Sequence, residues 1–206
     1  LYGLSRHTAL GTGSFVAFND HVRSATLTHP NATSYDAIAQ TADLASGPLK
    51  DILTGEPTGV TLTVTQSGVG VASSSANPAV NTDAYNMFVA PGYVDFSVVA
   101  NASLELDLAD HYTYTFTGLD TGDAAIYKFH GTAIRGNQSY TTRWTKVTLV
   151  GAVAATPDHS SGSGVVVLSP TEVALWTGAN NGPEQGFIVG WKDIDPGPDG
   201  EFAVVS

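Results

Sequence analysis

Residues 112–117 read Tyr-Thr-Tyr-Thr-Phe-Thr, and this stretch decides the fold class of the chain. Successive side chains of a β-strand point to opposite faces, so the aromatic rings fall on one face and the threonines on the other. We therefore expect one face to be buried and the other to contact water. Such alternation is typical of antiparallel sheets with one solvated side.

The same two-residue alternation continues on both sides of this stretch. Apolar and polar side chains alternate in residues 60–64, 94–98 and 104–108. Further strands are predicted at residues 14–19, 125–135, 141–150, 165–168, 172–177, 186–192 and 201–205, with a short helix near residues 35–44. This pattern predicts an all-β protein, an antiparallel two-sheet β-sandwich of jelly-roll type.

The chain has 206 residues, which suits one domain. Residues 1–13 carry apolar side chains, Leu1, Tyr2, Leu4 and Leu10 among them, ahead of the first predicted strand. We therefore expect an N-terminal arm over residues 1–13 and a single β-sandwich domain over residues 14–206.

Composition limits the function. The chain contains 8 Lys and Arg against 19 Asp and Glu, a net charge of −11, and no cysteine. A binder of duplex nucleic acid needs a basic surface, and thiol or disulfide chemistry needs cysteine, so both are excluded. No apolar stretch reaches the roughly 18 residues of a membrane span. Low charge and abundant Thr, Ser and Gly predict a secreted or cell-surface protein.

Signals of catalysis are weak in this sequence. Its 6 histidines show neither the HxH nor the HExxH spacing, and no GxSxG motif occurs. We therefore predict that the chain is not an enzyme. A hydrolase with an unrecognised site is kept as the second alternative.

Acidic residues cluster near the C-terminus at Asp193, Asp195 and Asp199. Calcium takes about six to eight oxygen ligands, and aspartates gathered in one turn supply several of them. We expect a structural Ca²⁺ here, completed by Asn19 or Asp20. The alternative is an ordinary Pro/Gly turn whose acidic side chains are solvated.

Positive charge is concentrated between residues 124 and 157, a segment without Asp or Glu. Lys128, Arg135, Arg143 and Lys146 lie there, four of the 8 Lys and Arg residues. Pairing of the two predicted strands as a hairpin would gather these cations on one ribbon, a site for carboxylate or sulfate groups. The alternative is a solvated strand pair balanced by acids elsewhere in the fold.

Aromatic residues stand beside amides and acids in the last third of the chain. An exposed aromatic ring flanked by polar groups can bind both the apolar face and the hydroxyl rim of a sugar. Together with the cations, the candidate ligand-binding residues are Arg135, Tyr140, Arg143, Trp144, Trp176, Asn180, Asn181, Glu184 and Trp191. Each tryptophan has a core position as its alternative.

Two stretches carry a resemblance to a known kind of domain. Residues 112–122 (YTYTFTGLDTG) and residues 186–202 (GFIVGWKDIDPGPDGEF) resemble strands of galactose-binding-like jelly rolls, including carbohydrate-binding-module-type β-sandwich domains of large secreted bacterial proteins. The resemblance implies a non-catalytic extracellular module, often stabilised by a calcium ion that ties the first and last strands together.

The leading hypothesis is a glycan-binding or adhesion module whose partner is a glycan or a cell-surface polysaccharide. The runner-up is a self-assembling structural surface or filament protein, in which residues 1–13 add a strand to a neighbouring copy.

Overall fold

The computed structural model confirms the all-β class. It describes residues 2–6, 14–19, 29–35, 45–67, 77–93, 111–122, 127–132, 134, 143–177, 181–182 and 184–206. The strands are β1 (Tyr2–Arg6), β2 (Phe15–Asn19), β3 (Ser46–Lys50), β4 (Pro57–Ser67), β5 (His111–Thr117), β6 (Tyr127–Gly131), β7 (Trp144–Val150), β8 (Ala154–Pro157), β9 (Val165–Ser169), β10 (Glu172–Trp176), β11 (Val189–Asp195) and β12 (Phe202–Val205). One π-helical turn spans Tyr85–Val89.

The strands form two antiparallel sheets that pack as a sandwich, compatible with a jelly roll. The five-stranded sheet has the order β2-β1-β6-β11-β8, and the seven-stranded sheet has the order β3-β4-β5-β12-β7-β10-β9. The predicted strands at residues 94–98 and 104–108 lie outside the described residues, as does nearly all of the predicted helix.

The main core lies between the two sheets, and strand alternation builds it. On β5, Tyr112, Tyr114 and Phe116 are buried while the intervening threonines are only partly covered, as the sequence predicts. The facing sheet contributes Phe129 and Trp191, both completely buried. Two-residue periodicity therefore identifies the core side of the central strands.

A second apolar cluster covers the outer face of the five-stranded sheet. It consists of Phe18, Ala32, Ile52, Ala84, Phe88, Ile134 and Ile188. Residues 77–93, with their π-helical turn, lie over the sheet here, and the Phe18 and Phe88 rings meet edge to face at 5.7 Å. Much of this sheet is thus covered on both sides.

The prediction of an arm over residues 1–13 is wrong for the described part, β1. This strand pairs along all five residues with β2 on one side and with β6 on the other. Leu4 is buried in the main core. Both backbone edges of β1 are occupied within the chain, so β1 belongs to the sandwich and is not free to add to a neighbouring sheet. Leu1 and residues 7–13 lie outside the described residues.

The predicted hairpin of residues 125–135 and 141–150 is also wrong. β6 lies in the five-stranded sheet between β1 and β11, whereas β7 lies in the seven-stranded sheet between β12 and β10. Lys128 is therefore in a different sheet from Arg143 and Lys146, and these three described cations form no common ribbon. A local turn signal does not determine which sheet the next strand joins.

Candidate functional site

The structure brings two of the predicted tryptophans together. Trp144 and Trp176 are direct cross-strand partners in the β7–β10 pair, with ring centroids 5.5 Å apart and planes inclined at 60°. Val147 and Leu175 point into the core, so alternation places both indoles on the opposite side of the sheet. Trp144 is 44% exposed and Trp176 is half-buried. We call these two residues the aromatic pair.

Polar groups surround the aromatic pair. Two residues beyond Trp144 on the same face, the Lys146 ammonium lies 3.0 Å from a carboxylate oxygen of Glu172. Arg143 precedes Trp144, and its carbonyl accepts a hydrogen bond from the Thr177 amide at 3.1 Å, which continues the strand pairing past the aromatic pair. Two half-exposed indoles beside hydrogen-bonding side chains can stack on the apolar faces of sugar rings.

Two other predicted ligand residues are buried in the protein interior. Trp191 is completely buried, and its Nε1 donates to the Pro170 carbonyl at 2.9 Å. Asn181 is also buried. Its side-chain amide accepts a hydrogen bond from the Phe187 backbone N–H and donates one to the Phe187 carbonyl. Their assignment to a ligand surface is wrong. Glu184 is exposed, and Arg135, Tyr140 and Asn180 lie outside the described residues.

The predicted calcium ligands do not come together where the structure describes them. The strand register sets Asn19 level with Val189, whereas Ile194 is level with Phe15 at the other end of the sheet. This separates Asn19 from the 193–199 turn by roughly 13 Å along the strands and 14 Å across them. Asn19 is buried, with its amide bonded to Thr33 and Tyr35.

The C-terminal turn has a local explanation. An Asp195 carboxylate oxygen accepts the Gly197 N–H at 2.9 Å, the side-chain-to-backbone bond that is typical of a turn. Within the described part of the chain, no three His, Asp or Glu side chains form a group that could hold a metal ion. Asp20 lies outside the described residues, and calcium binding stays a prediction.

A cavity that the sequence did not indicate opens on the outer face of the five-stranded sheet, with a volume of about 490 Å³. Strands β1, β2 and β6 form its floor, and residues 83–93 form its roof. Its lining residues are Ser5, Val16, Phe18, Asp83, Asn86, Met87, Pro91, Tyr93, Lys128, His130, Asp158 and Ile188. One wall is apolar and the other carries charged and amide groups.

A histidine–aspartate pair forms the polar side of this cavity. His130 Nε2 lies 3.0 Å from an Asp158 carboxylate oxygen, and the Lys192 ammonium lies 3.3 Å from the other oxygen. Gly190 lies on β11 between these two residues, and its lack of a side chain allows them to meet. A Cβ on Gly190 would lie 2.3 Å from His130 Cδ2. The absence of a side chain at Gly190 lets the imidazole pass over β11 and reach Asp158.

The roof of the cavity is tied to the sheet through Ser160. Its hydroxyl donates to the Asp83 carboxylate and accepts the Ile188 backbone N–H at 2.9 Å. In addition, the Ala84 N–H donates to the Gly186 carbonyl at 2.9 Å. These contacts hold the start of the helical segment beside β11, so the cavity is a built feature of the fold.

Burial sets the charge state of the two adjacent histidines. Desolvation lowers the pKa of His130 below its ordinary value and outweighs the Asp158 carboxylate, which alone would raise it. Desolvation likewise lowers the pKa of His159, whose Nδ1 accepts the Gly190 N–H at 2.9 Å. Burial would raise the pKa of Asp158, but its bonds to His130 and Lys192 hold that pKa below the usual range.

These shifts predict a loss of stability in mild acid. Because the folded-state pKa values of both histidines are depressed, the unfolded chain binds more protons as the pH falls through 6.5, and folding loses free energy. We expect the melting temperature to fall between about pH 7.5 and pH 5, above the range in which aspartates ordinarily titrate. The H130Q/H159Q double variant should show a weaker dependence, and an unchanged dependence would contradict this assignment.

Sequence reasoning missed the cavity because no single residue indicates it. Lys128 and His130 do share one face of β6, as period two predicts. The cavity, however, forms only because residues 83–93 pack over the sheet, and this tertiary contact has no local signal in the sequence. The one available signal is a pair of glycines inside strands, Gly3 in β1 and Gly190 in β11, because a glycine within a strand indicates close approach of a neighbouring side chain.

Comparisons of this chain with family models, with curated proteins and with solved structures found no match. Among the described residues, no helix has the length and apolar character needed to cross a membrane. The geometry of the aromatic pair and of the cavity is therefore the basis for inferring what this protein binds.

Proposed function

We propose that this chain is a non-catalytic extracellular glycan-binding module and that the aromatic pair is its polysaccharide surface. The observation that carries the proposal is the placement of the exposed Trp144 indole beside the half-buried Trp176 indole, on the sheet face opposite the main core. Burying large aromatic surface normally stabilises a fold, so two tryptophans left at the surface of one strand pair favour a binding role.

The geometry favours one type of polysaccharide. The indole planes are inclined at 60°, so two successive sugar rings cannot both stack while lying in a common plane. A soluble chain that twists from one unit to the next meets this requirement, whereas the flat face of a crystalline polymer does not. On the same face, Lys146 lies two residues from Trp144 and Glu172 lies four residues from Trp176, and both side chains can form hydrogen bonds with the polysaccharide.

Binding to soluble xylan, mannan and mixed-linkage glucan, with crystalline cellulose as comparison, tests the proposal. We expect at least one soluble chain to bind, and Trp144→Ala and Trp176→Ala each to weaken that binding about tenfold or more, as for an aromatic hot spot. Val150→Ala is the matched control, since Val150 is on the same strand and 48% exposed. Unchanged affinity in both tryptophan variants would refute the aromatic pair as the binding surface.

A further inference from the structure

We infer that the cavity on the five-stranded sheet is a second binding site, which takes a single neutral sugar residue. The inference rests on the proposed function, because it names a second sugar site in the same module. The cavity is formed from the other sheet of the sandwich, so the two sites share no residue.

The size of the cavity suits a small ligand. Its volume of about 490 Å³ falls in the range of roughly 300–1,000 Å³ that small-molecule sites occupy. Strands line one side of this cavity and residues 83–93 line the other, so it is a concave site of limited extent. It therefore fits one sugar residue or the end of a chain.

The apolar wall matches the C–H face of a sugar. The half-buried Tyr93 ring covers the buried Phe18, with ring centroids 4.9 Å apart and planes inclined at 34°, and Val16 and Met87 continue the wall. Tyr93 is half-buried and adds a hydroxyl at one end of an apolar ring. A pyranose presents the same combination of an apolar face and a polar rim.

The polar wall is balanced in charge. Asp158 is already paired with His130 and Lys192, so the Lys128 ammonium and the Asp83 carboxylate are the charges left for a ligand among the described lining residues. Burial keeps His130 neutral near pH 7, so it adds no positive charge. Asp83 retains acceptor capacity beyond its bond to Ser160, and Asn86 both donates and accepts.

This balance decides between ligand classes. The hydroxyl groups of a neutral polyol can accept a hydrogen bond from an ammonium such as that of Lys128 and donate one to a carboxylate such as that of Asp83, without bringing a charge of their own. An acidic sugar would meet the Asp83 carboxylate, and an amino sugar would meet the Lys128 ammonium, so each would lose one favourable contact. The lining therefore selects a neutral sugar over either charged one.

The direct test is titration with the methyl glycosides of glucose, galactose, mannose, xylose and N-acetylglucosamine, followed by calorimetry or saturation-transfer NMR. Glucuronate and glucosamine serve as charged comparisons. We expect one neutral glycoside to bind more tightly than both charged sugars. Binding of no neutral glycoside, or tighter binding of a charged sugar, would overturn the inference.

Two charge variants locate the site. Lys128→Ala and Asp83→Asn should each weaken binding of the neutral glycoside about tenfold, the usual effect of losing a hydrogen bond to a charged group. Asp83→Asn leaves Lys128 unopposed and should shift preference towards glucuronate, whereas Lys128→Ala should shift it towards glucosamine. Lys50→Ala, an exposed lysine on β3 of the other sheet that lines neither proposed site, is the matched control and should change nothing. Unchanged affinity and preference in both cavity variants would refute the site.

The same measurements separate the two proposals. If the cavity is the site, Trp144→Ala keeps full affinity for the methyl glycoside even where it loses the polysaccharide. If glycoside binding disappears in Trp144→Ala and survives in Asp83→Asn, the aromatic pair is the only sugar site and the cavity inference fails. If glycoside binding depends on the cavity and no polysaccharide binds, the cavity inference stands and the aromatic-pair proposal fails.

Discussion

Replacement of Trp191 by alanine should lower the free energy of unfolding by about 3–5 kcal/mol, the usual cost of removing a large aromatic side chain from a core. Trp191 is completely buried, its ring lies 6.3 Å from that of Phe129, and it meets His159 edge to face at 5.0 Å. The substitution opens a cavity under the five-stranded sheet and deprives the Pro170 carbonyl of its bond from Nε1.

Thermal and urea unfolding of Trp191→Ala, Trp191→Phe and Trp144→Ala would measure this difference. For a domain of this size we expect a fall of about 10 °C in the melting temperature for Trp191→Ala. Trp191→Phe keeps most of the buried surface and should cost less. Trp144→Ala should change stability by less than about 1 kcal/mol, because 44% of that side chain is already exposed. Equal losses at positions 191 and 144 would show that the two sites are not distinguished by burial.

The contrast between these tryptophans shows how far strand periodicity reaches. On β10, Val173 and Leu175 set the core face, so Trp176 falls on the other face by counting alone. Where β11 begins, Ile188 just before the strand and Val189 at its start are both buried, one in the outer cluster and one in the main core. A strand covered on both faces shows no alternation, so the sequence could not place Trp191.

Within the described residues, the predictions about the fold that depend on local sequence are correct, and the arm and the hairpin, which depend on tertiary pairing, are wrong. Fold class and the strands β2, β4–β7 and β9–β12 follow from alternation and turn residues, which are local properties. The pairing partners of β1 and of β6 do not, because they depend on which sheet receives each strand. The five residues of β1 resemble an N-terminal arm in the sequence, and only the pairing with β2 and β6 shows that they form an internal strand.

The candidate site divides in the same way. Alternation within each strand predicts the outward direction of both indoles, because Val147 on β7 and Leu175 on β10 mark the buried face. Their contact with each other required the β7–β10 register, and the cavity required a segment distant in sequence to lie over the sheet. Sequence reasoning thus supplied the residue types of a sugar site, while tertiary structure selected which of them meet.

Replacement of Gly190 by alanine should destabilise the fold by about 3 kcal/mol, at the upper end of the usual cost of overpacking. A Cβ at this position would lie 2.3 Å from His130 Cδ2, 2.8 Å from the Phe129 carbonyl oxygen and 2.9 Å from the Asp158 carbonyl oxygen. The imidazole can rotate away, but the two backbone oxygens belong to the flanking chain segments of the sheet and cannot yield without breaking the pairing of β11. Rotation of His130 would also separate it from Asp158.

Gly92→Ala provides the control, since Gly92 has a positive φ of 78° but open space around its Cβ position. That variant should cost only the roughly 1–2 kcal/mol of left-handed backbone strain. Gly190→Ala has no such strain, so a larger loss in urea unfolding isolates the steric term. In Gly190→Ala the imidazole NMR signals of His130 should also titrate at higher pH, because a displaced ring regains water and loses the desolvation that lowers its pKa. If Gly190→Ala is as stable as wild type and leaves the His130 titration in place, close packing of the imidazole over Gly190 does not hold the histidine–aspartate pair.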